Sequence, residues 1–128
     1  MINPAPSTVK MLVAIISIIG LASCGDEDKT SAGVDWLKAN QEVPVNSGWK
    51  IGEVTATGKG KMEIIVDLYS ATAASKLKSL SAMDKGEVAR LVCPIRGTEF
   101  WEIVGTKATV VVKLTSMGST EVTAICRR

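Results

Sequence analysis

The chain contains no histidine. That removes the side chain most often used as a general base near neutral pH, and the commonest zinc ligand. Aromatic residues are few: three tryptophans, one tyrosine and one phenylalanine. Cysteine is sparse, with Cys24, Cys93 and Cys126 the whole complement. No two of them stand in the Cys-x-x-Cys spacing of a redox motif. Long apolar runs are missing as well. The greasiest segment, Met11–Gly20 extended by Leu21 and Ala22, is roughly half of what a membrane-spanning helix needs.

What is present begins at the front. "MINPAPSTVK" is polar and carries one positive charge, Lys10. The apolar run follows, and then the small residues Ala22 and Ser23 before Cys24. This order suits a signal-peptide h-region rather than an anchor helix. Leu21-Ala22-Ser23-Cys24 resembles the lipobox of bacterial lipoproteins: leucine, two small residues, cysteine. The resemblance implies a diacylglycerol on the Cys24 thiol, cleavage between Ser23 and Cys24, and acylation of the new amino group. It covers only residues 1–24. It implies membrane attachment through the Cys24 lipid, in the bacterial envelope and facing the periplasm. Gly25 after the lipid-bearing cysteine, where aspartate would favour inner-membrane retention, points to the outer membrane.

Cleavage before Cys24 leaves 105 of the 128 residues, the size of one domain. With Lys10 gone, 14 basic and 13 acidic side chains remain. That near-balance argues against a nucleic-acid binder, which would concentrate basic residues on one face. Residues 24–33 read as a flexible tether. Its acidic run Asp26-Glu27-Asp28 lacks the turn glycine of a calcium loop, so we expect solvation and no metal. No cofactor is implied. Once the lipid has claimed Cys24, Cys93 and Cys126 remain in an exported domain. An oxidising compartment predicts a Cys93–Cys126 disulfide.

Residues 34–128 are expected to form one α+β domain. "VDWLKAN" (Val34–Asn40) predicts a short helix, and "QEVPVNSG" breaks it. Trp49–Thr57 reads as a strand whose apolar residues change parity, which a bulge near Gly52 reconciles. Met62–Tyr69 alternates, with Met62, Ile64, Val66 and Leu68 on one face. The glycine-rich connection between them predicts a hairpin. Ala71–Leu80 switches to helical period through Ala73, Leu77 and Leu80. A second helix is expected to start at Ser81, carry Val88, Leu91, Val92 and Ile95 on its apolar stripe, and end near Cys93 because Pro94 follows. Trp101–Val104 is expected to be a short strand after a loop. Lys107–Thr115 and Thr120–Arg127 alternate around the turn "SMGS", and Cys126 falls on the apolar face. The sum is a two-layer α+β domain, an antiparallel four-stranded sheet with helices on one face. A small β-barrel carrying a helix is the alternative.

Catalytic patterns are weak. Gly58-Lys59-Gly60-Lys61 lacks the spacing of a phosphate loop and joins two strands. Ser75 and Lys78 fit Ser-x-x-Lys without the partner motifs that make it catalytic. Glu63 and Asp67 share a strand face roughly 13 Å apart, too far for paired carboxylate catalysis. The surface candidate is "EFWE": Phe100 and Trp101 between Glu99 and Glu102, the composition of a binding hot spot. The competing reading has Phe100 and Trp101 close one end of the core. The function expected is a non-enzymatic, lipid-anchored protein-binding module of inhibitor or exclusion type, with an envelope protein as partner. The alternatives are a structural or assembly lipoprotein of an envelope or secretion machine and, more remotely, an enzyme acting on cell wall or lipid.

Overall fold

Alternation builds the sheet. β1 (Trp49–Gly58) and β2 (Lys61–Leu68) turn back on one another through Lys59 and Gly60, where Gly60 takes a positive φ. β3 (Thr109–Ser116) and β4 (Ser119–Ile125) do the same through Met117 and Gly118, both at positive φ, the geometry that matches hairpin twist. The computed structural model describes residues 29–128. The expected signal peptide 1–23, Cys24 of the lipobox resemblance and the acidic run Asp26–Asp28 lie outside the described residues.

The strands run in the order β1-β2-β3-β4. The outer pairs are antiparallel hairpins, as expected, but β2 and β3 pair in parallel. The sheet is therefore mixed and open, and neither all-antiparallel nor a barrel. The connection explains this. Residues 69–108 carry the chain from the Leu68 end of β2 back to the Lys61 end before β3 begins. A parallel pair needs such a crossover, and here it is made of helices.

Those helices are α2 (Ala71–Lys78), α3 (Ala82–Ala89) with a 3₁₀ turn at Arg90–Val92, and α4 (Glu99–Val104). Ser70 caps α2 by accepting from the Ala73 amide, and Ser81 caps α3 by accepting from the Asp84 amide. Cys93 after the 3₁₀ turn is extended, as a residue before proline prefers. α4 replaces the strand expected at Trp101–Val104. Glu99 and Glu102 favour the N-terminal turn of a helix, and Gly105 at φ +83° ends it. Phe100, Trp101 and Val104 then share one helical face.

α1 (Thr30–Asn40) precedes the sheet. It starts one turn before the expected Val34, so residues 30–33 are helix rather than tether. Thr30, Gly33, Val34 and Leu37 are its buried residues, an i, i+3, i+4, i+7 stripe. Threonine and glycine do not read as apolar, which hid the first half of that stripe.

One face of the sheet is the core. Met62, Ile64 and Val66 of β2 stand opposite Val110, Val112 and Leu114 of β3, and all six are almost wholly buried. Val54, Val122 and Ala124 extend this layer to both edges. The predicted bulge lies between Ile51 and Glu53. A Cβ on Gly52 would come within 2.7 Å of the Asp67 carboxylate, so glycine suits the position. On the opposite face Glu63 pairs with Lys113 at 3.1 Å, and the Thr115 hydroxyl donates to Asp67 at 2.7 Å.

Cys93 and Cys126 are bonded, with Cα atoms 5.5 Å apart. The link ties the end of the α3 segment to the residue after β4 across a separation of 33. In the chain-entropy picture reduction costs about 3–4 kcal/mol. The described domain is expected to unfold at markedly lower urea with reductant than without, and equal midpoints would contradict this. Gly33 gives a second prediction. Its Cβ would lie 2.5 Å from a Val104 methyl and 2.7 Å from the Met62 sulfur. Glycine to alanine in an unobstructed helix stabilises by roughly 0.5–1 kcal/mol. Here Gly33→Ala is expected to destabilise by about 1–3 kcal/mol, read from urea titration.

Candidate functional site

The Glu99–Glu102 segment is placed by α4 packing against α1. Phe100 is fully buried and Trp101 is 9% exposed. Phe100 lies between two indoles: its ring centroid is 5.4 Å from Trp36 and 4.9 Å from Trp101, the latter edge-on. Such contacts add modestly to the area the rings bury. Glu99 accepts a hydrogen bond from the Trp36 indole at 3.0 Å, linking α4 to α1. Glu102 is exposed. The C-terminal Arg128 lies over the Trp101 ring, 5.0 Å from its centroid, and donates to the carbonyls of Gly105 and Ala108. The aromatic pair therefore closes the core.

An apolar surface lies elsewhere, where the stripe expected of the second helix breaks. Helical spacing places Val88, Leu91, Val92 and Ile95 together. The α-helix ends at Ala89, however, and the 3₁₀ turn has three residues per turn. Val92 stays buried, while Leu91 is 64% and Ile95 75% exposed. Their helical spacing in the sequence runs past the true helix end at Ala89.

Leu91 is shared by three neighbouring clefts. The first, about 460 Å³, lies between the end of α1 and the Pro94 loop, with Trp36, Val43, Pro44 and Ile95 on its walls. A second, about 400 Å³, runs past Pro44, Trp49, Leu77, Leu80 and Val88. The third, about 310 Å³, is lined by Pro94 and Ile95 and by Arg90, Arg96 and Arg127. Glu87 holds Arg90 at 2.8 Å and Arg127 at 3.6 Å. Arg96 has no ion pair among the described residues. The surface is thus an apolar ridge beside three guanidinium groups, and arginine is a residue type enriched at interface hot spots.

The other motifs resolve as structure. Gly58–Lys61 is the β1–β2 hairpin. Lys78, of the Ser75-x-x-Lys78 spacing, lies 3.8 Å from Glu121. Glu63 and Asp67 are engaged by Lys113 and Thr115. Among the described residues no three His, Cys, Asp or Glu side chains are grouped to hold a metal. No described helix is long and apolar enough to cross a membrane. Comparison of the chain with known protein families, with curated proteins and with solved structures found no match.

Truncating Trp101 tests the burial directly. Trp101→Ala is expected to destabilise the domain by about 3–5 kcal/mol, measured by urea unfolding followed by circular dichroism. A variant as stable as the parent would return Trp101 to the surface.

Proposed function

We propose that the chain is a lipid-anchored protein of the bacterial envelope, held by Cys24. Its domain is a non-enzymatic protein-binding module of inhibitor or exclusion type, and it grips its partner through Leu91 and Ile95. The observation that carries this reading is the apolar ridge itself. Two large side chains stand mostly in solvent between clefts, next to Arg96. Leaving their exposed parts in water forgoes a share of the roughly 1.5–3 kcal/mol that complete burial of each side chain yields, which a partner surface would recover.

Two further features support the address. Leu21-Ala22-Ser23-Cys24 has the lipobox order, and a Cys93–Cys126 bond suits an oxidising compartment. Aspartate at Leu91 or Ile95 would place a charge in the desolvated centre of such an interface.

The test is cross-linking in living cells, with a tagged, membrane-inserted chain, followed by mass spectrometry. One dominant envelope protein is expected. In Leu91→Asp and Ile95→Asp chains its yield should fall at least about ten-fold, a loss of roughly 1.4 kcal/mol or more, with unchanged melting. Unchanged yield in both variants would reject the ridge as the contact. Co-purification with a large, stoichiometric assembly would instead favour a structural role in an envelope machine.

A further inference from the structure

Four lysines meet at one end of the sheet. The Gly60 amide donates to the Thr30 hydroxyl oxygen at 2.6 Å. The Thr109 amide donates to the Gly60 carbonyl at 2.8 Å. These bonds tie the start of α1, the β1–β2 turn and the start of β3 into one junction. Lys29 immediately precedes Thr30, Lys59 and Lys61 flank Gly60, and a Cβ on Gly60 would lie 3.8 Å from the Lys107 carbonyl. All four lysines are exposed, and none has an ion pair among the described residues. Lys29, Lys59 and Lys107 rim a cleft of about 310 Å³ floored by Met62, Val104 and Ala108.

We infer that this lysine end is a second membrane contact, resting on the anionic headgroups of the leaflet that holds the Cys24 lipid. The inference rests on the lipid attachment proposed above. Lys29 is five residues from Cys24, so an extended chain keeps it within about 18 Å of the anchor. Cationic side chains held that close enter the field of an anionic surface, which decays over roughly one Debye length. Acyl chains joined by a basic patch hold a protein more firmly than either alone. Asp26, Glu27 and Asp28 belong to the same charge balance, with three negative charges against four positive. The covalent position of the cluster favours lipid over a soluble acidic partner, since Lys29 stands five residues from the proposed lipid-bearing Cys24. Lys50 lies at the other end of β1, eight residues and roughly 26 Å away, and serves as an internal control with Lys76 of α2.

The experiment uses the full chain purified from bacterial membranes. It is reconstituted into phosphatidylcholine vesicles with or without phosphatidylglycerol. A brief pulse of amine-acetylating reagent is followed by mass spectrometry of each lysine. Both vesicle types present the same tether carboxylates, so only the lipid charge differs. Lys29, Lys59, Lys61 and Lys107 are expected to react at least about five-fold more slowly on the anionic vesicles, and to recover in high salt. Lys50 and Lys76 should react equally on both. In the Lys59→Glu, Lys61→Glu, Lys107→Glu variant, Lys29 should lose its protection. Equal rates at the four lysines on the two vesicle types would overturn the contact. The same digest weighs the Cys24 peptide. Equal rates with an acylated Cys24 remove the lysine contact and leave the anchor standing. An unmodified Cys24 overturns the anchor, and with it this placement.

Discussion

One row of four side chains sets the rest of the molecule. Val54, Ile64, Val112 and Ala124 stand opposite one another across all four strands, and each is buried. Rows of Met62 with Val110, and of Val66 with Leu114 and Val122, lie on either side. An apolar face this continuous has to be covered, because exposed apolar area costs about 25 cal/mol per Å². In this chain α1 and the crossover between β2 and β3 do the covering. Because that crossover returns the chain to the Lys61 end, the need to cover the face and the parallel pairing of the central strands are the same fact.

With so few aromatic residues, placement matters more than number. Phe100, Trp101 and Trp36 are spent together where α4 meets α1, and Glu99 and Arg128 fix that cluster from outside. Gly33 lets α1 approach Met62 and Val104 closely. The disulfide holds the segment after α3 against the end of β4. Among the large apolar side chains that stay exposed, which include Val45, Tyr69, Met83 and Met117, Leu91 and Ile95 are the two that line shared clefts beside Arg96. They belong to no packed stripe, and they border the clefts on which the proposed partner contact rests.

Much of the fold was legible because strand alternation is a strong signal. Met62 through Leu68 and Ala108 through Leu114 could be assigned to the inner face residue by residue. The Gly52 bulge followed from a change in parity, and the disulfide from a count of cysteines. What escaped had physical reasons. Thr30 and Gly33 pack through close approach rather than hydrophobicity, so α1 reads short. Phe100 to Val104 is rich in β-favouring residues, and only its charged first turn and Gly105 mark it as helix. Pairing direction depends on where the crossover ends, which no local pattern encodes. Composition alone leaves Phe100 and Trp101 of "EFWE" open to surface or core, and their burial places both in the core. The ridge was invisible because its residues look like the continuation of a buried helical stripe.

The proposed contact sets Leu91 against a partner, while Trp101 is buried in the core. The most direct measurement is site-specific photo-cross-linking in living cells, with a photoreactive residue placed at position 91 and, separately, at Ser119 in the distant β3–β4 hairpin. The account predicts one protein adduct of defined mass from position 91 and none from position 119. Adducts of the same kind from both positions, or none from position 91, would contradict it.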